Sequence, residues 1–326
     1  SSDDANCLLE YCVLRYAGND WWNYNGWDNR RNENYAIRCS EASPTIRNCE
    51  FSQCRGGVYS TGAAAFSNPT VANNTFDTIN TQAIYLNSGA GSVTGNRITG
   101  CGSQSIYLGS GTAGTIQNNI ISGCSSWGLY LAGNNAATVS GNSVSNSTGG
   151  CYWGGGCSGS FNNNTLGQNN QAYQAAADLA VTFSGNTVSG TGFKGLNVFG
   201  TMTANKTWSP SQLTAMGLQP LYYIVDDVTV AGGVKLTIEA GTVVKFARRR
   251  TSDSWEEVKL IVQGALWAQG TSGNKIYFTS IDDPTVGGSS GGDGVPDSTD
   301  WGWIEFQGSS DDANCLLEYC VLRYAG

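Results

Sequence analysis

Residues 92–98 read SVTGNRI, residues 115–121 TIQNNII and residues 138–144 TVSGNSV. Four more segments keep the pattern: TIRNCEF at 45–51, TVANNTF at 70–76, SFNNNTL at 160–166 and TFSGNTV at 182–188. Their first apolar residues are Ile46, Val71, Val93, Ile116, Val139, Phe161 and Phe183, at intervals of 25, 22, 23, 23, 22 and 22 residues. A second apolar patch follows each segment, at Val58, Ile84, Ile106, Leu129, Cys151 and Leu196, with Tyr173 at the weakest coil. Alternation that breaks at Gly or Asn and then resumes predicts a short strand, a tight bend and another short strand. The bend position (Asn73, Gly95, Asn118, Gly141, Asn163, Gly185) holds only the two residue types that tolerate a left-handed backbone. The next position is Asn74, Asn96, Asn119, Asn142, Asn164 and Asn186. A polar residue recurring between apolar neighbours predicts a stacked ladder in which the buried amides satisfy one another. Coils this short cannot bury an apolar face alone, so they must stack, each pairing in parallel with the next.

These segments resemble the coils of pectate-lyase-like, right-handed parallel β-helices, a family in which an asparagine ladder occupies the turn. The later stretches VTVAGGVKLTIEAGTVVKF (228–246), LIVQGALWAQGTSGNKIYFTSIDD (260–283) and WGWIEFQG (301–308) resemble coils of large bacterial cell-surface β-helix proteins. The resemblance implies an all-β, right-handed parallel β-helix (a β-solenoid). It leaves function open, since the same scaffold carries lyases, hydrolases, adhesins and fibres.

A second repeat is literal. Residues 1–18 and residues 309–326 both read SSDDANCLLEYCVLRYAG. The offset is 308 residues, a period in which about ten coils are counted. The organisation read from the sequence is therefore one continuous solenoid. Coils with the ladder span 1–201, with an aromatic insertion at 19–34. A short helix or loop crosses over at 202–221, and further coils fill 222–326, ending in the coil that begins the chain. Neither end shows a capping segment of the kind an isolated solenoid uses to protect its edge strands.

Composition narrows the function. The chain has 326 residues, 44 of them glycine, and a net charge of −8. That charge disfavours a nucleic-acid partner, and no apolar run is long enough to predict membrane insertion. No signal peptide is apparent, so the chain reads as mature or as part of something larger. Histidine is absent, which removes the commonest general base and zinc ligand. Between Gly56 and Phe193 the only charged residues are Asp77, Arg97 and Asp178, whereas a glycosidase or lyase needs clustered acids or a placed base. The expectation is a non-enzyme: a structural unit of an extracellular filament or surface fibre, with copies of itself end to end as partners, and laterally in a further arrangement. A glycan-binding adhesin is the alternative.

Four features are candidates for a site. The 18–34 loop carries Trp21, Trp22, Tyr24 and Trp27 beside Arg30 and Arg31, a composition that suits an interface or a glycan. An outward column holds Tyr59, Tyr85, Tyr107, Tyr130 and Tyr152. In the glycine-rich stretch 281–301, Asp282, Asp283, Asp293, Asp297 and Asp300 offer closely spaced oxygen ligands that suit calcium, the one cofactor the sequence points to. Cys12 and Cys49 align with the ladder, Cys101 and Cys124 align with each other, and Cys151 and Cys157 sit close in sequence. Neighbouring coils about 4.8 Å apart fall within disulfide range, and bridges would fit an extracellular compartment. Packing of the thiols as small apolar groups is the other reading.

Overall fold

The computed structural model describes residues 7–18, 34–63, 66–250, 255–288 and 292–326. The fold is an all-β parallel β-helix. The chain divides into two compact units, one comprising Ser1–Asn170 with Ala180–Gly190, the other Gln171–Leu179 with Thr191–Gly326.

In the first unit six coils contribute three short strands each and the last two contribute two. One sheet stacks Leu8–Glu10, Thr45–Arg47, Thr70–Ala72, Ser92–Thr94, Thr115–Gln117, Thr138–Ser140, Ser160–Asn162 and Thr182–Ser184 in chain order. A second stacks Val13–Arg15, Glu50–Ser52, Thr75–Ile79, Arg97–Cys101, Ile120–Ser122, Ser143–Ser145, Thr165–Gly167 and Thr187–Ser189. A third runs through Tyr35–Ser40, Gly56–Thr61, Ile84–Leu86, Ile106–Leu108, Trp127–Leu131 and Gly149–Trp153. Register is strict: Val93 lies between Val71 and Ile116, and Ile106 between Ile84 and Leu129. These middle residues point inward and are fully buried, while their strand neighbours face out. Period-2 alternation thus places one apolar column of each of the first two sheets in the core, and two of the third, where Leu86, Leu108 and Leu131 are buried as well.

The bend between the first two strands has positive φ in every coil from Asn48 to Gly185, with values of 53–66°. The alternation of asparagine and glycine there has a steric cause beyond backbone tolerance. A Cβ on Gly95 would meet the side-chain oxygen of Asn73 at 2.3 Å, and one on Gly185 would meet that of Asn163 at 2.3 Å. Asn73, Asn118 and Asn163 each fold over the glycine of the coil that follows, whereas Asn48, which Asn73 follows, turns its amide to Glu10 at 3.3 Å.

In the second unit, Gln171–Ala176, Phe193–Met202, Leu221–Val230, Val243–Phe246, Ile276–Ser280 and Cys320–Leu322 form one parallel path. The strands Lys206–Trp208, Lys235–Glu239, Ala265–Gln269 and Leu316–Glu318 form another. One antiparallel pair joins Arg248–Arg250 to Trp255–Glu257. The segment 202–221, read as a crossover, contains both a strand and a helix. Lys206–Trp208 pairs with Lys235–Glu239, and the helix is Pro210–Ala215, its Ser209 hydroxyl accepting from the Gln212 N–H at 3.1 Å. Proline in the first turn and serine at the cap account for that start. No helix among the described residues is long and apolar enough to cross a membrane.

Candidate functional site

The asparagine column is a continuous hydrogen-bond ladder. Asn96 donates its backbone N–H and its side-chain amide to Asn119 Oδ1, both at 3.0 Å, and the same amide donates to the Val71 carbonyl at 2.8 Å. Asn74 repeats this on Asn96, Asn119 on Asn142, and Asn142 on Asn164. Asn164 does the same on Asn186 at 3.0 and 3.3 Å. All six are buried. The column continues below Asn74 in cysteine: the Cys49 N–H donates to Asn74 Oδ1 at 2.9 Å, and its thiol turns to the Leu9 and Arg47 carbonyls at 3.6 and 3.2 Å. A thiol here takes the place of an amide, contacting the same carbonyls of its own coil and the coil beneath.

A second, mixed ladder lies at the next turn. The Cys124 N–H donates to Ser147 Oγ at 3.2 Å, Ser147 N–H to Asn169 Oδ1 at 3.0 Å, and Asn169 to the Val144 carbonyl at 3.0 Å. Its residue types change from coil to coil, so no single-letter column marks it in the sequence.

The expected disulfides are not formed: no disulfide joins any cysteines among the described residues. Cys12, Cys49, Cys101, Cys124, Cys151 and Cys157 act instead as small core groups and weak donors. Cys12 donates to the Glu10 carbonyl at 3.4 Å, Cys157 to the Ala132 carbonyl at 3.4 Å, and Cys124 Sγ lies 2.6 Å from Ser105 Oγ. A hydrogen bond with Cys124, together with burial, holds the Cys101 thiol far above the usual thiol range, and burial does the same for Cys151.

Outward from the core runs an unbroken stack of tyrosines. Ring centroids are 5.2 Å apart for Tyr35 and Tyr59, 5.1 Å for Tyr59 and Tyr85, 4.4 Å for Tyr85 and Tyr107, 4.8 Å for Tyr107 and Tyr130, and 4.3 Å for Tyr130 and Tyr152. Burial, then neighbouring phenols, pushes Tyr85 and Tyr130 up to about 12. Tyr107, Tyr130 and Tyr152 lie face to face, their planes differing by 12° and 5°, whereas Tyr85 meets Tyr59 and Tyr107 at 66° and 60°. Trp21, Trp22, Tyr24 and Trp27 fall outside the described residues.

The five aspartates do not converge on one point. Asp283 is fully buried and accepts from Thr279 Oγ1 at 2.8 Å and the Thr285 N–H at 2.9 Å, with Arg323 at 3.6 Å. Burial works to raise its pKa, but the threonine hydrogen bonds outweigh that and hold it below the usual carboxylate range. Asp300 accepts from Ser280 Oγ at 2.6 Å and from the Asp297 N–H at 3.0 Å, and Asp297 accepts from the Thr299 N–H at 2.7 Å. Asp282 accepts from the Gly294 N–H at 3.3 Å and Asp293 from the Val295 N–H at 2.8 Å. Among the described residues no group of three or more acidic or cysteine side chains is placed to hold a metal ion. The loop is fastened by Lys245, whose buried ammonium donates to the carbonyls of Asp283 and Gly288 at 2.7 and 2.6 Å.

The first and last coils carry apolar side chains in the open. Leu8, Tyr11, Val13 and Tyr16 are exposed in one, and Leu317, Tyr319 and Leu322 in the other. Glu10 pairs with Arg47 at 2.9 Å, and Arg15 with Glu50 at 3.1 Å.

Residues 64–208 match the family described as right handed beta helix region. Neither a curated protein nor a solved structure matches the chain. Stacked parallel coils, left-handed bends at a fixed position and this match together identify residues 64–208 as a right-handed β-helix region, within a chain whose fold is an all-β parallel β-helix.

Proposed function

We propose that this chain is a structural repeat unit of an extracellular filament or long cell-surface fibre, in which copies continue one another end to end through parallel strand pairing. The observation that carries this reading is where the exposed apolar side chains lie. Of the twelve large apolar side chains exposed among the described residues, seven sit on the first and last coils, on strands whose edges a further coil can pair, and the others are Phe66, Ile120, Val295, Trp303 and Phe306. Large apolar groups presented together mark an interaction surface. The low charge of the intervening coils limits repulsion between neighbours. Right-handed β-helices occur in pectate-lyase-like enzymes and in non-enzymes alike. The non-enzymatic reading is supported by the absence of histidine and by aspartates already occupied with the chain's own donors.

A glycan-binding adhesin is the second reading, favoured by the outward tyrosines Tyr85, Tyr107 and Tyr130. Sugars stack on open aromatic faces, and here Tyr107, Tyr130 and Tyr152 turn their faces to one another, which weakens it. Electron microscopy of native material tests the filament: thin fibres with an axial repeat on the order of 50 Å, from about ten coils at the strand spacing, are expected. Isolated particles together with binding on a glycan array would overturn it in favour of the adhesin.

A further inference from the structure

Where both copies are described, at 7–18 and 315–326, the duplicated segment keeps its strand and its left-handed tyrosines in two half-environments. Leu8–Glu10 and Leu316–Glu318, the same residues, are both strands. Tyr11 and Tyr319 have φ of 55° and 49°, and Tyr16 and Tyr324 have φ of 55° and 59°. Each copy pairs on the side the other leaves open. Leu8, Leu9 and Glu10 pair with Thr45, Ile46 and Arg47 of the coil that follows, while Leu316, Leu317 and Glu318 pair with Trp267, Ala268 and Gln269 of the coil that precedes. Burial is complementary: Leu8 and Val13 are 53% and 60% exposed but Leu316 and Val321 are partly covered, whereas Leu317 and Leu322 are 39% and 49% exposed but Leu9 and Leu14 are partly covered. The thiols agree. Cys12 donates only to its own coil, at Glu10, whereas Cys320 donates to Glu318 and down to the Ala268 carbonyl, both at 3.5 Å.

Resting on the filament reading, we infer that these are two views of one shared coil, and that a second copy of this chain stacks on residues 315–326 in the register of residues 7–18. Thr45, Ile46 and Arg47 of the second copy lie on Leu316, Leu317 and Glu318. Its Cys49 lies on Cys320, and its Arg47 meets Glu318 as it meets Glu10 here. Charge decides between this and simple stacking of two intact copies. Intact stacking sets Glu318 against Glu10 and Arg323 against Arg15, like charges directly opposed, whereas the shared coil opposes Glu318 to arginine. Contacts decide how many copies of the segment the junction holds. A second copy that gives up its own residues 7–18 exchanges identical contacts for identical ones. Binding is gained only where segment 309–326 alone fills the junction.

The test is a chain in which residues 1–326 run directly into a second set of residues 19–326, compared with the single chain. Cys320 is partly exposed in the single chain, and Cys49 is buried. Native alkylation with iodoacetamide is read by mass spectrometry on the tryptic peptide ending at Arg323. Cys320 is expected to react in the single chain, and at least tenfold more slowly at the junction of the double chain, so that half of that peptide stays unmodified. Leu317→Asp, at a side chain open in the single chain, is expected to leave single-chain melting nearly unchanged and to abolish the junction's protection. Equal reactivity in both chains, or protection that survives Leu317→Asp, overturns the register. Fibres of the expected repeat with a reactive junction Cys320 would sink this inference and leave the filament reading standing; a protected junction with no native fibres would do the reverse.

Discussion

The side-chain oxygen of Asn118 lies over the α-carbon of Gly141, where an added methyl would sit 2.4 Å away. Gly141 also has φ of 66°. Gly141→Ala is therefore expected to cost about 1–2 kcal/mol for the left-handed backbone, plus the displacement of Asn118. Gly111, at φ 76° with nothing within 4 Å of its would-be Cβ, isolates the backbone share. Urea denaturation of both variants checks this: Gly141→Ala should lose clearly more stability than Gly111→Ala, and equal losses would show that the contact with Asn118 is soft.

Within the ladder, position sets the penalty. Asn119→Ala removes the acceptor of two Asn96 donors and the donor to the Val93 carbonyl, all buried. At about 1–3 kcal/mol for each polar group left buried without a partner, a loss of roughly 3 kcal/mol or more is expected. Asn186 is less deeply buried than the other five. Asn186→Ala should cost less, and a reversed order in denaturant midpoints would contradict a ladder held by burial.

The acidic loop should weaken in acid through Asp283. Its carboxyl is held below the usual range, so its contribution is fully present above the ordinary carboxylate pKa of about 4 and is lost as pH falls below that through the folded value. The stability gap between the natural chain and Asp283→Asn should be widest near neutrality and close in strong acid. Thermal melting across that range reads it.

Lys245→Met strips a donor from two carbonyls. It should cost about 2 kcal/mol and raise proteolysis at residues 281–300, without affecting the first unit.

The tyrosine stack sets an alkaline limit. For Tyr85 and Tyr130, folded values of about 12 against about 10 unfolded mean stability complete below pH 10 and falling as pH rises toward 12. Tyrosinate absorbance should lag in the folded chain and jump on unfolding. Tyr107→Leu breaks two ring contacts and should cost about 1–3 kcal/mol at neutral pH.

The repeated segments made the parallel coils legible, because one residue type recurs where one geometry recurs. What stayed hidden followed from the same logic. The Cys124, Ser147 and Asn169 ladder varies its chemistry from coil to coil while keeping its hydrogen bonds. The aspartates have ligand-like spacing, but each accepts from the chain's own donors, on threonine, serine, glycine or valine. Cysteines stacked at coil spacing imply bridges by proximity, yet the Cys49 and Cys157 thiols face backbone carbonyls and the Cys124 thiol meets the Ser105 hydroxyl.

The asparagine–glycine interlock has an arithmetic consequence. From Asn73 to Gly185 each asparagine is followed by the glycine that its side-chain oxygen covers, so the interlock is built of two-coil units. Where asparagine follows asparagine, at Asn48 and Asn73, the earlier amide turns away to Glu10 at 3.3 Å. The pair of coils, rather than the single coil, is therefore the unit by which such a stretch lengthens or shortens without losing the interlock.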